Sequence, residues 1–136
     1  MQIVEGLKYL QSLNMMHRDL KAANILIDRN GYIKISDFGL ASIVSVSRQI
    51  KDIVGTPEYQ APEILKNRGY DKKVDWWAVG IIIYEMLFGV TPFFNRHIHK
   101  ILNSILEEDV RFPNRRRIPH TEAAQDLIRK LLDKNP

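Results

Sequence analysis

With 136 residues, 45% of them hydrophobic and 26% charged, the chain has the size and composition of one globular domain. It contains no cysteine, which excludes both a disulfide framework and a thiolate metal site. The formal net charge is +4, but the 20 basic residues are spread over the whole sequence, so the charge does not indicate a nucleic-acid-binding surface.

The first predicted element is a helix over residues 2–13. Its apolar side chains recur at helical spacing, and Asn14 follows as a stop signal. A helix of this kind packs against a core and carries no chemistry. No signal peptide is visible at the start of the sequence, which favours an intracellular location in the cytoplasm or the nucleus.

Two clusters of polar residues follow, separated by a predicted hairpin. Residues 17–24 read His-Arg-Asp-Leu-Lys-Ala-Ala-Asn, and residues 37–39 read Asp-Phe-Gly. Between them, two isoleucine-rich runs flank the turn sequence Asn30-Gly31, which predicts a β-hairpin with Asn24 and Asp37 at the same end. An amide and a carboxylate oxygen placed together favour a hard cation, and magnesium is typically held by one or two such protein oxygens and by substrate phosphates.

Together, the two clusters resemble the catalytic loop and the magnesium-binding motif of the eukaryotic protein kinases. The resemblance implies that Asp19 orients the acceptor hydroxyl and takes its proton, while Lys21 steadies the transferring phosphate. It implies that Asn24 and Asp37 hold Mg²⁺ and that Leu26 lies below the adenine ring of ATP. A lysine two residues after the catalytic aspartate is the pattern of serine/threonine kinases. The implied activity is therefore ATP-dependent phosphorylation of serine or threonine in protein substrates.

Residues 40–54 are rich in serine, valine and isoleucine without a helical period and are predicted to form a loop. In the kinase resemblance they belong to the activation segment, which ends at Glu63. Its closing piece, residues 55–63, reads Gly-Thr-Pro-Glu-Tyr-Gln-Ala-Pro-Glu and closely resembles the AGC group of serine/threonine kinases. The resemblance implies that Thr56 hydrogen-bonds to the catalytic aspartate and lysine.

The chain departs from the AGC pattern at two places. The activating phosphothreonine of that group stands three residues before the glycine matched by Gly55, where this chain has Asp52. We expect Asp52 to supply a fixed negative charge near Arg18 in place of a phosphate. The second departure is Ala22-Ala23, where AGC kinases more often have Pro-Glu. A carboxylate that helps to read basic substrates is therefore absent at position 23.

Residues 71–89 are apolar on nearly every helical face, which predicts a buried central helix. Asp75 lies near its N-terminal end, where it either caps the helix or, as in the kinase family, braces the backbone of the catalytic loop. Glu85 lies in the last turns, where a buried carboxylate would need a cationic partner. The AGC resemblance assigns that role to an arginine of the substrate. The apolar run 79–88 is too short to span a bilayer.

The remaining sequence predicts two helices and a basic turn. Residues 98–106 are amphipathic, and His97 and His99 beside them are expected in solvent. Arg115-Arg116-Arg117 reads as a solvated basic turn. The last helix begins after Thr121, a plausible cap. Its inward-facing residues are expected to be Ala124, Leu127, Ile128, Leu131 and Leu132.

No repeat, low-complexity tract or linker divides the sequence, so residues 1–136 are expected to form one domain. We expect a mainly α fold with a small β-hairpin, corresponding to the C-terminal lobe of the α+β two-lobed protein kinase fold. The N-terminal lobe and the last C-terminal-lobe helices are expected to be absent, so that the chain alone is inactive. The alternative is a non-catalytic, kinase-like scaffold or decoy.

Overall fold

The computed structural model describes residues 1–44, 50–113 and 121–135. Within them the chain is mainly helical, with two short antiparallel strand pairs. None of the helices in these residues has both the length and the apolar character that a bilayer crossing needs. The helices are α1 (Gln2–Ser12), α2 (Pro62–Leu65), α3 (Lys73–Phe88), α4 (Ile98–Glu107) and α5 (Glu122–Leu131), and the strands are β1 (Met15–Met16), β2 (Ile25–Ile27), β3 (Ile33–Ile35) and β4 (Ser42–Ile43).

Helix α3 is the central element of the fold, as its apolar sequence predicts. Its residues belong to both apolar clusters of the core. One cluster joins α3 to α4 and α5 and contains Trp77, Ile105 and Ile128. The other joins α3 to α1 and contains Leu7 and Ile82. Burying one such side chain contributes about 1.5–3 kcal/mol, so α3 is the element through which both halves of the core are stabilised.

Helices α3 and α5 pack closely at Gly80. A Cβ atom at this position would lie 2.8 Å from Leu132 Cδ2 and 2.9 Å from Leu131 Cβ. A larger side chain would therefore push the two helices apart. Helix α3 ends where Gly89 takes a left-handed conformation with φ of 76°, which glycine adopts without strain.

Strands β2 and β3 form the hairpin that the turn sequence predicts. Ile25 pairs with Ile35, and the backbone N–H of Ser36 donates to the carbonyl of Asn24 at 2.9 Å. In the turn, the Asp28 carboxylate accepts two backbone N–H bonds at 2.8 and 3.0 Å. The register brings the two polar clusters to the same end of the hairpin, as predicted.

The segment predicted as a loop between residues 40 and 54 contains β structure. Strand β4 pairs antiparallel with β1, with Met16 opposite Ser42, and Ile50 forms an antiparallel bridge with Tyr70. The loop prediction is wrong at these positions. Strands of two residues are too short to show the alternation of apolar and polar residues by which a strand is recognised in sequence.

The C-terminal helices lie where the sequence predicts them, with one difference in orientation. His97 and His99 are exposed, and the Thr121 hydroxyl accepts a backbone N–H of the first turn of α5 at 3.2 Å. Leu127, expected to face inward, is 48% exposed, because the buried face of α5 is centred on the next residue. The predicted basic turn at 115–117 lies outside the described residues.

Candidate active site

Asp75 of α3 braces the backbone of the loop that carries the first polar cluster. Its Oδ2 accepts the backbone N–H of His17 at 2.8 Å, and its Oδ1 accepts that of Arg18 at 3.0 Å. The carboxylate is almost fully buried, and burial raises the pKa of Asp75 although the two N–H donors oppose the shift. Because both oxygens bond to the loop, the bracing role is the one the structure shows.

Asp19 is a buried carboxylate held by bonds to both of its oxygens. Lys21 Nζ donates to Oδ2 at 2.8 Å, while the Thr56 hydroxyl and backbone N–H donate to Oδ1 at 2.7 and 2.9 Å. Burial acts to raise the pKa of Asp19, but the bonds from Lys21 and Thr56 outweigh it and hold the pKa below its ordinary value. At neutral pH the group is therefore an ionised acceptor in a fixed orientation.

Thr56 closes the activation segment onto the catalytic loop, as the resemblance implies. Its hydroxyl accepts a hydrogen bond from Lys21 Nζ at 2.9 Å while donating to Asp19. The preceding Gly55 has φ of 99°, and a Cβ there would lie 2.5 Å from the carbonyl oxygen of Arg18. Only glycine fits this approach, so the segment and the loop meet backbone to backbone.

Asn24 and Asp37 offer two oxygens at one end of the hairpin. Asn24 is buried, and its Nδ2 donates to the Asp19 carbonyl at 2.8 Å, which leaves Oδ1 as the amide atom able to meet a cation. Asp37 is exposed and has φ of 64°. Amide and carboxylate oxygens fit magnesium. In proteins magnesium is usually held by one or two such oxygens together with substrate phosphates. The described part of the chain contains no group of three or more His, Cys, Asp or Glu side chains that could hold a metal ion.

Leu26 lies on β2, two residues after Asn24, and is 51% exposed. Phe38 of the Asp-Phe-Gly cluster is also partly exposed, and its ring lies 5.0 Å from the imidazole of His17, centroid to centroid. An exposed apolar side chain on the strand that follows Asn24 is suited to form one wall of a binding site for a flat, apolar ring. The adenine contact of Leu26 stays a prediction.

Arg18 and Asp52 come together as the sequence predicts. Arg18 Nη1 lies 3.5 Å from Asp52 Oδ2, and Arg18 Nε donates to the carbonyl of Leu40 at 2.5 Å. The Arg18 side chain is only 11% exposed, whereas that of Asp52 is 71% exposed. The Tyr70 hydroxyl donates to the Asp52 carbonyl at 2.8 Å. The segment is thus held more by its backbone than by the Asp52 carboxylate.

Glu85 has a neutral partner in the folded chain. The Tyr59 hydroxyl donates to Glu85 Oε2 at 2.6 Å, and the Glu85 side chain is half-buried. Burial raises the pKa of Tyr59, and the bond to Glu85 adds to the shift, so the phenol stays a donor. The expectation that Glu85 requires a cation in order to be buried is therefore wrong, because a hydroxyl satisfies it. Its contact with a substrate arginine stays a prediction.

One buried polar residue of this region was missed by sequence reasoning. Gln60 is 6% exposed, and its Nε2 donates to the carbonyls of Val54 at 2.8 Å and Gly55 at 3.3 Å. The only sequence signal was a polar residue between an aromatic residue and an Ala-Pro pair. That pattern gives no indication of which backbone groups the amide would meet.

Comparison with known proteins agrees with this geometry. The family model described as the protein kinase domain matches residues 1–136. The chain is 43% identical over 136 residues to the RAC serine/threonine-protein kinase of Drosophila melanogaster, covering 99% of this chain and 22% of that protein. It is 43% identical over 134 residues to cAMP-dependent protein kinase type 3 of Saccharomyces cerevisiae, covering 98% and 32%. It is 42% identical over 135 residues to serine/threonine-protein kinase Sgk2 of Rattus norvegicus, covering 98% and 36%. The chain thus spans between about a fifth and about a third of the length of these relatives.

Proposed function

The chain belongs to the protein kinase family, and we propose that it supplies the catalytic loop and activation segment of an enzyme that transfers the γ-phosphate of ATP to serine or threonine. The observation that carries this proposal is the buried, ionised Asp19 held between Lys21 and Thr56. Substrates would be proteins with serine or threonine acceptors. Because ATP and Mg²⁺ are plentiful inside cells, we also propose an intracellular location, in the cytoplasm or the nucleus.

In the proposed reaction, Asp19 orients the acceptor hydroxyl and takes its proton as the oxygen attacks the γ-phosphorus and the bond to ADP breaks. Lys21, already bonded to Asp19 and Thr56, presents its positive charge toward the transferring phosphoryl group. Asn24 and Asp37 would hold Mg²⁺, which neutralises charge on the phosphates when bound. The residues therefore act by positioning and by charge stabilisation, which is what phosphoryl transfer needs from a protein.

The test compares the 136-residue chain alone with the same chain joined to the nucleotide-binding lobe of a related kinase. Calorimetry with magnesium and ATP measures binding, and transfer of radiolabelled phosphate measures turnover. We expect weak binding and no turnover for the chain alone. The resemblance assigns Leu26 to one side of the adenine ring, and the given sequence contains no glycine-rich loop that could shield the phosphates. The joined protein is expected to phosphorylate serine or threonine.

Micromolar ATP binding with substrate phosphorylation by the chain alone would contradict the first expectation. A joined protein that folds and binds ATP but transfers no phosphate would favour the non-catalytic scaffold. The exposed apolar side chains of Tyr9, Leu13 and Phe38 would then belong to a docking face.

Asp52→Asn in the joined protein is expected to lower activity about two- to fivefold. The carboxylate is mostly exposed and lies 3.5 Å from Arg18, and pairs of this kind contribute about 0–1 kcal/mol. The smaller charge and fewer acceptors of a carboxylate also make it a partial replacement for a phosphate. Initial-rate measurements at two salt concentrations check this, because high salt should shrink the difference between variant and wild type.

Activity is further expected to survive phosphatase treatment. Loss of activity after that treatment would instead point to Ser42, Ser45 or Ser47 as a phosphorylation site. Ser42 is on β4, whereas Ser45 and Ser47 lie outside the described residues. Alanine variants of the three serines would identify which one matters.

Glu85 predicts a preference for arginine on the amino-terminal side of the acceptor, most strongly two residues before it. Peptide arrays with the joined protein should favour arginine there, and Glu85→Gln should reduce that preference. The preference should be weaker than in relatives with a second carboxylate, and Ala23→Glu should strengthen it because it restores one near the site. Equal use of arginine and alanine peptides by the wild-type protein would contradict the assignment.

A further inference from the structure

We propose that Gln60 is a positioning residue that clamps the Val54–Gly55 peptide so that Thr56 stays seated on Asp19. The inference rests on the proposed function only in treating Asp19 as the catalytic carboxylate. It concerns the unaltered fold, so it is tested without ATP or substrate. Gln60 itself touches none of the reacting groups.

The amide nitrogen of Gln60 bonds to the backbone of the segment that precedes Thr56. Both of its partners, the carbonyls of Val54 and Gly55, are acceptors, so Nε2 must be the atom that faces them and the orientation of the amide is fixed. The side chain is 6% exposed. It leaves the chain directly after the 3₁₀ turn Pro57–Tyr59, so it folds back over the peptide that precedes this turn.

The catalytic loop limits where the Val54–Gly55 peptide can move. Gly55 approaches the catalytic loop so closely that a Cβ would lie 2.5 Å from the carbonyl oxygen of Arg18. The next residue, Thr56, makes its backbone and hydroxyl bonds to Asp19 at 2.9 and 2.7 Å. Gln60 holds the Val54 and Gly55 carbonyls, and Arg18 limits movement of Gly55 toward the catalytic loop, so a shift of the peptide would also move Thr56, the next residue.

Two other features could hold this segment, and both are weaker or lie farther from Thr56. The pair between Arg18 and Asp52 is at 3.5 Å with Asp52 71% exposed, and such pairs contribute little. The bond from the Tyr70 hydroxyl reaches the carbonyl of Asp52, which is farther from Thr56 along the chain than either carbonyl that Gln60 contacts. Of these three contacts among the described residues, that of Gln60 lies nearest to Thr56 along the chain.

Water has little room to replace the lost donor. The pocket that Gln60 and Thr56 line has room of about 10 Å³ for a water molecule, which is at the lower limit for a single one. Removing the amide would leave the two partly buried carbonyls without this donor, and leaving an acceptor unpaired is the costly way to break a hydrogen bond. The peptide should respond by moving toward solvent and drawing Thr56 away from Asp19.

The test uses two variants and a matched control in the 136-residue chain. Gln60→Met keeps an unbranched chain of similar length without a donor, and Gln60→Glu keeps the shape with acceptors only. Gln125→Met makes the same change on α5, where the amide oxygen accepts from Arg129 at 3.0 Å. Hydrogen exchange of the Thr56 N–H is measured by NMR, with the amides of α3 reporting global unfolding.

In both Gln60 variants we expect the Thr56 N–H to exchange about tenfold faster than in the unaltered chain, a larger increase than that of the α3 amides. In Gln125→Met the exchange rate of the Thr56 N–H should stay unchanged. In the unaltered chain, the side-chain amide protons of Gln60 should exchange far more slowly than those of a solvated glutamine. Solvent-like exchange of these protons in the unaltered chain would overturn the proposal, whether or not the variants fold. Unchanged Thr56 exchange in either folded variant would overturn it as well.

Kinetics in the joined protein give an independent readout. Gln60→Met should lower kcat about tenfold with little change in KM for ATP, because the change affects the seating of Thr56 on Asp19 and leaves Asn24 and Asp37 in place. Thr56→Ala removes the hydroxyl bond to Asp19 and keeps the backbone N–H bond, so in that background the Gln60 substitution should lower kcat by clearly less than it does in the wild-type protein. Additive losses would overturn the positioning role, because general destabilisation adds where shared positioning does not. If the exchange results are as expected but the joined protein transfers no phosphate, the proposed function is wrong while the positioning role of Gln60 is retained.

Discussion

Asp19→Ala is expected to lower kcat of a kinase domain that contains this chain by about two to four orders of magnitude. Lys21 and Thr56 hold the carboxylate in a fixed orientation, and the proposed function has it take the acceptor proton. Asp19→Asn should be nearly as inactive, because the amide keeps the shape but has no anionic oxygen to receive the proton. The measurement is steady-state phosphate transfer with a peptide substrate.

Asp37→Ala should be comparably inactive for a different reason, and the response of the activity to magnesium concentration should distinguish the two variants. Raising the magnesium concentration should restore part of the activity of Asp37→Ala, because a lost ligand weakens metal binding. It should not rescue Asp19→Ala. Asp133→Ala, on an exposed carboxylate after α5, is the matched control and should behave as wild type. Near-wild-type transfer by both Asp19→Ala and Asp37→Ala would show that the catalytic assignment is wrong.

Asp75→Ala is expected to lower the free energy of unfolding by about 2–5 kcal/mol. The substitution leaves the backbone N–H groups of His17 and Arg18 without an acceptor in the interior of the fold, and each such loss costs about 1–3 kcal/mol. Urea denaturation followed by tryptophan fluorescence measures the change, since Trp77 lies on the same helix and is buried.

Asp71 offers the matched control for this experiment. It is exposed near the start of α3 and accepts the backbone N–H of Lys73 at 2.8 Å. Asp71→Ala should therefore cost no more than about 1 kcal/mol, in the range of a lost helix cap. Asp75→Asn should fall between the two, because one amide oxygen still accepts while the NH₂ group faces the second N–H. Equal denaturation midpoints for Asp71→Ala and Asp75→Ala would remove the bracing role.

Sequence reasoning succeeded where the relevant contacts are local. The juxtaposition of Asn24 and Asp37 follows from a short hairpin whose turn sequence is explicit, and the central position of α3 follows from its apolar faces. Contacts between distant residues could only be inferred from the family. Asp75 could equally have capped its own helix, and a choice between capping and bracing depends on a loop 58 residues away in the sequence.

The errors have the same origin. Strands β1 and β4 are only two residues long and pair residues such as Met16 and Ser42. Strands this short show no periodic pattern in the sequence. Glu85 was expected to need a cation, because nothing local announced the Tyr59 hydroxyl as its partner. The role of Gln60 is not visible in the sequence, because the hydrogen-bond partners of a buried amide depend on which backbone groups the tertiary fold brings to it.

The attachment of the catalytic loop to α3 also fixes when the loop becomes ordered during synthesis. The segment from His17 to Asp37 leaves the ribosome well before Asp75, yet the backbone N–H groups of His17 and Arg18 find their acceptor only on that later residue. In a nascent chain, the side chains proposed to be catalytic are therefore synthesised before the bonds from Asp75 can hold their loop in place. Contacts between residues this far apart in sequence slow folding. Until α3 docks, the apolar residues that will surround it stay exposed, and this is the interval in which chaperone binding or aggregation competes with folding.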